Sequence, residues 1–136
     1  MRDIKYLVVH CTATSVDTTV DRILRYWREV KKWKNPGYHF IVLRNGAIRE
    51  LFPVEKVSNG VAGHNSYSVH ISYMGGIDEK GKSKDNRTDA QKEAIHKKLK
   101  ELKRQFPEAV IQGHRDFKGV MKSCPCFNAK EEYRSI

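Results

Sequence analysis

The sequence of 136 residues contains no apolar run that approaches the roughly 18 residues needed to span a membrane. An apolar stretch near the N-terminus, residues 4–9, is short and is interrupted by Lys5. A secretory signal needs a longer uncharged core and a cleavage site with small residues, and the sequence shows neither. We therefore expect no membrane span, a chain that starts at Met1, and synthesis in the cytoplasm.

Acidic residues are few: 16 Asp and Glu stand against 26 Lys and Arg, which gives a formal net charge of +10. A balance this basic favours a polyanionic partner, such as nucleic acid, an anionic membrane or an anionic cell wall. The basic residues are scattered without a dense run, and no recognised nucleic-acid-binding motif accompanies them. We therefore expect no nucleic acid partner, and charge alone does not identify the substrate.

Cysteine is also scarce, and the three in the chain are Cys11, Cys124 and Cys126. An odd number without a secretory signal argues against a disulfide framework. Cys124 and Cys126 are too close along the chain to pair without strain. The residues leave two interpretations open, which are a metal ligand and reduced thiols in the core.

Hydrophobic periodicity and turn residues predict the order strand, helix, hairpin, strand, helix, strand. The dipeptide Asn45-Gly46 is typical of a two-residue hairpin loop. The predicted strands are residues 4–9, 38–43, 47–51, 68–74 and 109–112. This order predicts an α/β fold: a single domain over residues 1–136 with a central mixed β-sheet flanked by α-helices.

Two helices with one apolar face each are predicted, one around residues 20–30 and one that follows Thr88 and ends before Pro107, and a short helix is predicted at 129–134. Thr18 and Asp21 have the spacing of a capping box at the start of the first helix, with Asp in place of the usual Glu. Thr88 and Gln91 have the same spacing before the second helix. These caps predict where each helix begins.

Three residues of the types that bind zinc lie at predicted strand ends or in a turn. His10 follows the first predicted strand, His114 follows the last, and Cys124 lies in the turn 122–125. A catalytic zinc site has three nitrogen, sulfur or oxygen ligands from the protein and one open position. Taken singly, such a histidine is more often a surface or half-buried residue, and such a cysteine a small buried hydrophobe. Because HExxH and CxxC are both missing, the residues alone permit a zinc site without selecting it.

Five short motifs follow one another along the chain: VVHCTAT (8–14), GYHFIV (37–42), SVHISYMGGID (68–78), GHRDF (113–117) and KSCPCF (122–127). Together they resemble the type 2 N-acetylmuramoyl-L-alanine amidases, especially the small lysozyme-like endolysins of T-odd coliphages. The animal peptidoglycan recognition proteins are more distant relatives with the same fold. The resemblance extends from Lys5 to about Tyr133. Each motif is weak by itself, but five in register are a strong signal.

The resemblance implies a Zn²⁺ site whose ligands are His10, His114 and Cys124, with Cys126 outside the set. It also implies hydrolysis of the amide bond between N-acetylmuramic acid and L-alanine, so that the expected partner is bacterial peptidoglycan. A phage or prophage endolysin acts on the cell wall after its release from the cytoplasm. That route agrees with the absence of a recognisable signal peptide.

The resemblance further implies catalytic roles for Tyr38 and Lys122. Lys122 would stabilise the tetrahedral oxyanion as a nearby cation, and Tyr38 would position the water or move a proton. No Asp or Glu has an obvious claim to the role of general base. Without the family pattern, Tyr38 would be interpreted as an aromatic at a strand start and Lys122 as a solvated loop charge.

The loop that contains His64 and Asn65 lines the substrate groove in this family, so both residues are expected to bind substrate. His39 should point away from Tyr38 and have a structural role, since side chains alternate along a strand. Two positions depart from the family pattern. Around Gly60 the usual histidine of a His-Ala pair is missing, and His70 replaces a common glycine, where it would narrow the groove or face solvent.

Two other functions compete with the enzyme. A recognition module would bind peptidoglycan without cutting it, but relatives of that kind typically lack the cysteine ligand, whereas Cys124 is present. A regulatory protein partner also stays open, because the T-odd phage members inhibit their phage's RNA polymerase through a surface that the motifs do not define. A monomer is expected, although the motifs do not define the oligomeric state.

Overall fold

A five-stranded sheet lies at the centre of the computed structural model, which describes residues 2–136; the expected start at Met1 lies outside the described residues. The strands occur in the order β3-β2-β4-β1-β5. β1 is parallel to both β4 and β5, β2 is parallel to β4, and β3 is antiparallel to β2. The mixed sheet expected from the sequence is therefore confirmed. Its strands are β1 (Tyr6–Cys11), β2 (Phe40–Val42), β3 (Ile48–Glu50), β4 (Ser68–Tyr73) and β5 (Val110–Gly113).

Within residues 2–136, three α-helices accompany the sheet: α1 (Val20–Glu29), α2 (Asp89–Gln105) and the short α3 (Ala129–Glu132). The predicted capping box before α2 is confirmed, because the Gln91 N–H donates to Thr88 Oγ1 and the Thr88 N–H donates to Gln91 Oε1, each at 3.0 Å. The predicted cap at Thr18 is wrong. Thr19 caps α1 instead and accepts a hydrogen bond from the Arg22 N–H at 3.2 Å, since the residue directly before the first helical residue has the extended backbone of an N-cap.

The connection between β2 and β3 is longer than the predicted two-residue loop. The Leu43 N–H donates to the Ala47 carbonyl, and the Gly46 N–H donates to the Leu43 carbonyl, both at 2.8 Å. Residues 44–46 thus form a three-residue loop. Gly46 closes it with φ +88°, a left-handed conformation that glycine adopts without steric cost.

The two faces of the sheet pack against different parts of the chain. Leu7 and Val9 of β1 belong to a large core with Ile95 and Leu99 of α2. Val8, which alternates with them, packs instead against Val61 and Phe117 in the loops of the other face. His10 follows the same alternation and points to the loop-covered face. Among residues 2–136, no helix has both the length and the apolar character to cross a membrane.

Candidate metal centre

Neighbouring strand ends bring the three predicted metal ligands together. His10 lies near the end of β1 and His114 directly follows β5, which is parallel to β1 and hydrogen-bonded to it. One donor atom from each of His10, His114 and Cys124 lies within 4.8 Å of the other two. The carboxyl ends of adjacent parallel strands therefore form the place where these side chains meet, as expected for an α/β sheet.

Cys124 reaches this place through its own loop. The Arg115 N–H donates to the Cys124 carbonyl at 2.9 Å, which fastens the loop beside the turn that carries His114. The Cys11 N–H donates to Cys124 Sγ at 3.2 Å. This contact fixes the position of the sulfur at the end of β1.

The donor set fits zinc in chemistry and in spacing. Two imidazoles and one thiolate are preferred zinc ligands and leave one position open. Ordinary Zn–N and Zn–S bonds in a tetrahedral arrangement separate nitrogen and sulfur by roughly 3.6 Å. The distance from His10 Nδ1 to Cys124 Sγ is 3.8 Å. His10 would therefore bind through Nδ1.

Both histidines of the set are held in the neutral form. Burial lowers the pKa of His10 well below its usual value, and the neighbouring His70, His114 and Lys122 lower it further. Burial, and secondly the charge of Lys122, lower the pKa of His114 to about 4. Because a metal binds only the unprotonated imidazole nitrogen, these shifts remove proton competition at neutral pH.

Tyr38 and Lys122 lie beside the three donors. The ring of Tyr38 is 4.9 Å from that of His10, centre to centre, and its hydroxyl donates to the Cys11 carbonyl at 3.2 Å. Burial, together with the nearby Cys124 and Cys11 sulfurs, raises the pKa of Tyr38 above its usual range. Lys122 is exposed to solvent and borders the same cleft.

The donors lie in a cleft of about 1070 Å³. Besides Tyr38, three aromatic side chains and three basic ones help to line it, and none of the described residues that line it is an Asp or a Glu. The cleft is therefore apolar in part and positive in charge, which suits a ligand with carboxylates. The residues in question are Tyr26, Trp27, Trp33, Arg22, Lys31 and Lys122.

The two residues expected to bind substrate occupy different positions. Asn65 borders the cleft, but its Oδ1 accepts a hydrogen bond from the Val61 N–H at 2.8 Å. His64 is not among the residues that line the cleft; its Nδ1 lies 2.6 Å from the Tyr67 hydroxyl and its ring 4.5 Å from that of Phe117. Substrate binding by this pair stays a prediction.

A histidine that was not assigned to the site contacts the centre directly. His70 is fully buried, so of the two expected alternatives it does not face solvent. Its Nδ1 lies 2.9 Å from His10 Nε2, and its Nε2 lies 2.9 Å from Asn65 Oδ1. The signal in the sequence was the departure from the family pattern at this position, which the residues alone did not connect to His10.

The remaining cysteines and His39 have the structural surroundings expected of them. Cys11 is buried, and its Sγ lies 3.8 Å from that of Cys126. His39 is buried as well; its Nδ1 accepts from the His70 N–H at 3.0 Å and its Nε2 lies 2.8 Å from the Lys56 carbonyl.

Comparison with known proteins agrees with this geometry. The model of the N-acetylmuramoyl-L-alanine amidase family matches residues 1–127. The endolysin of Klebsiella phage KP32 is 39% identical over 125 residues, which cover 91% of this chain and 82% of that protein. The endolysin of Escherichia phage T7 is 34% identical with the same coverage of both chains.

A solved structure of bumblebee PGRP-SA has the same fold, with a TM-score of 0.79 at 19% identity over 99% of this chain and 83% of that one. The family model spans most of the sequence, and the phage endolysins are similar over nearly all of it. The chain belongs to the N-acetylmuramoyl-L-alanine amidase family.

Proposed function

We propose that this enzyme is a zinc-dependent amidase of a phage or prophage, which cuts peptidoglycan between N-acetylmuramic acid and the first L-alanine of the stem peptide. The observation that carries the proposal is the meeting of His10, His114 and Cys124 at the end of a wide cleft. Membership of the amidase family supports the reaction, and the two imidazoles and one thiol support zinc as the metal.

Amide hydrolysis requires a nucleophile, a stabilised oxyanion and a proton for the leaving amine. His10, His114 and Cys124 would hold a zinc ion, and that ion would supply polarisation of the carbonyl and a bound water with a pKa of about 7. Lys122, whose charge contributes to lowering the pKa of His10 and His114, would stabilise negative charge that develops on the carbonyl oxygen. Tyr38 keeps its proton because its pKa is raised, so its hydroxyl can orient water or donate to the leaving group.

The charge of the protein supports a cell-wall substrate. Bacterial walls carry anionic polymers and free carboxylates, and the net charge of +10 and the basic cleft are complementary to them. The relatives from phages KP32 and T7 are named endolysins. We propose the same route here, with action on the wall after release from the cell interior.

The test compares Cys124→Ser with Cys126→Ser, since the two cysteines are two residues apart and only the first lies with the histidines. Zinc content and the release of wall fragments are measured for both variants and the unmodified protein. We expect Cys124→Ser to lose zinc and at least a hundredfold in rate, on the order of the cost of removing a catalytic group. Cys126→Ser should keep both properties.

The products distinguish the alternatives. A new N-terminal L-alanine identifies an amidase, whereas a new reducing sugar would identify a glycosidase. A protein that binds the wall without releasing either end would be a recognition module, as some fold relatives are. Full cleavage by a zinc-free Cys124→Ser variant would disprove the proposed metal chemistry.

A further inference from the structure

Behind the metal-facing side of His10, the buried His10 and His70 and the half-buried Asn65 form a line of hydrogen bonds. His10 Nε2 lies 2.9 Å from His70 Nδ1, and His70 Nε2 lies 2.9 Å from Asn65 Oδ1. Asn65 Oδ1 also accepts from the Val61 N–H at 2.8 Å. The two histidines and Val61 expose 2% of their surface or less, so water does not compete for the bond between the two rings.

The direction of every bond in this line follows from the backbone end. The Val61 N–H can only donate, so the amide atom of Asn65 that faces it must be the oxygen. Since that oxygen only accepts, His70 must donate to it from Nε2, and a neutral His70 then has an unprotonated Nδ1. His10 must therefore donate from Nε2.

A neutral imidazole has one donor and one acceptor, so His10 with a proton on Nε2 has a free lone pair on Nδ1. Nδ1 is the nitrogen that lies 3.8 Å from Cys124 Sγ, on the side of the candidate metal. The line thus selects the tautomer that a metal requires and fixes the orientation of the ring. The same line leaves the Asn65 oxygen occupied by donors from this chain.

The loop residue Gly60 leaves room for this arrangement. A Cβ at position 60 would lie 2.3 Å from His70 Nδ1, closer than any real contact, so the ring of His70 and a side chain at 60 exclude each other. The two departures from the family pattern therefore meet in space. The imidazole of His70 on β4 occupies the space that a side chain at position 60 of the loop would need.

We infer that His70 and Asn65 are positioning residues for His10, which hold its Nδ1 unprotonated and aimed at the metal. The expected effect on zinc affinity rests on the proposed function. The tautomer of His10, in contrast, is a property of the metal-free protein. His70 neither lines the cleft nor belongs to the three candidate ligands. It acts through His10, as outer-shell partners of metal-bound histidines do.

The first measurement uses the metal-free protein labelled with nitrogen-15. We expect the NMR shifts of His10 to show a protonated Nε2 and a bare Nδ1. In His70→Leu, which removes the acceptor but fills the space, the Nδ1-protonated tautomer should increase. A wild-type His10 with its proton on Nδ1, or an unchanged tautomer in His70→Leu, would overturn the inference whether or not the protein binds zinc.

The second measurement is the zinc dissociation constant, obtained by competition with a coloured chelator. His70→Leu should bind zinc about 10- to 100-fold more weakly, in line with the loss of an outer-shell partner. His70→Asn is the matched variant, since its Oδ1 can accept from His10 near the place of Nδ1, and it should bind more tightly than His70→Leu. Thermal unfolding identifies variants that are folded.

Equal zinc affinity of His70→Leu and wild type would also contradict the inference. So would equal losses in His70→Leu and His70→Asn, because a residue that merely fills space does not distinguish them by hydrogen bonding. If wild type shows the expected tautomer but binds no zinc, the proposed function fails while the positioning of His10 stands.

Discussion

Burial determines the chemistry of the four histidines at and behind the candidate centre. It lowers the pKa of His39 and His114 to about 4, and that of His10 and His70 well below the usual value. Each ring is therefore neutral at pH 7, with one donor and one acceptor. For His10 and His114 this leaves a nitrogen for the metal. For His39 and His70 it allows each ring to connect two neighbours.

One consequence of this neutrality is a loss of stability in mild acid. The pKa of His39 is lowered from an ordinary value of 6.5 to about 4, mainly by burial. Between these pH values the unfolded chain binds more protons, so the free energy of unfolding falls as the pH is lowered from 6.5 towards 4. Above pH 6.5 this residue makes no pH-dependent contribution. Melting temperatures of the metal-free protein from pH 4 to 8 should show this fall.

The matched variants for this prediction are His39→Asn and His96→Asn. The first removes the buried imidazole but keeps an acceptor near the His70 N–H, so the melting temperature should fall less between pH 6.5 and 4. The second changes an exposed histidine on α2 and should leave the fall unchanged. Identical pH profiles for His39→Asn and wild type would contradict the assigned cause.

At the scale of elements, the register of two strands explains why His70 could not be assigned from the sequence. β1 and β4 were both predicted as strands, but their pairing was not. In the structure Val8 lies opposite His70 and His10 opposite Ser72, so His70 and His10 share a face of the sheet one step apart. A single-residue shift in register would turn His70 to the other face.

Local signals predicted some element boundaries and missed others for physical reasons. The capping box at Thr88 could be predicted because its two hydrogen bonds join Thr88 and Gln91, which are only three residues apart in the sequence. Thr18 and Thr19 are equally good caps by residue type, and only the backbone direction at Thr19 decides between them. The loop before β3 contains the expected Asn45-Gly46 pair, but the glycine closes a longer turn.

The contact between the loop at Gly60 and β4 gives a prediction for a pair of substitutions. Gly60→Ala places a Cβ 2.3 Å from His70 Nδ1, so the loop or the ring must move. We expect a cost of about 1–3 kcal/mol in the free energy of unfolding, as for other overpacked sites. In a His70→Gly background the space is empty, and Gly60→Ala should then cost much less. Urea unfolding of the four proteins measures the coupling between the two positions.

If Gly60→Ala costs the same with and without His70, the two residues are independent and the steric explanation is wrong. Gly119→Ala serves as a comparison for a glycine in open space, although its φ of +85° adds backbone strain that does not depend on His70. Its cost should therefore be equal in both backgrounds. A coupling at Gly60 and none at Gly119 would locate the effect in the predicted contact.

At the scale of the whole molecule, the large hydrophobic core lies on one face of the sheet and the cleft lies on the other. α2 and α3 cover one side, and the cleft with its three donors opens between α1 and the loops of the other. The mixed sheet could be predicted because its strands follow from the local hydrophobic pattern, and the net charge follows directly from the composition. The lining of the cleft comes from segments as far apart as Arg22 and Lys122, so only the folded chain defines it.

The net charge of +10 is a property of the whole surface, and it predicts how activity depends on salt. Attraction between a basic protein and an anionic wall is screened over about 10 Å at 0.1 M salt and about 3 Å at 1 M. We therefore expect the rate of wall lysis to fall as salt increases. Cleavage of a small soluble muramoyl peptide should fall less, because it depends on the cleft rather than on attraction to a large polyanion.

A triple Gln variant separates these two contributions. Lys92, Lys97 and Lys100 are exposed on α2, a helix that packs on the face of the sheet opposite the cleft. Replacing all three with Gln lowers the net charge without touching the lining of the cleft. If the whole surface attracts the wall, lysis by this variant should be slower at low salt and less sensitive to salt, while soluble-peptide cleavage stays unchanged. A variant with the salt dependence of wild type would instead assign the attraction to the basic residues of the cleft, Arg22, Lys31 and Lys122.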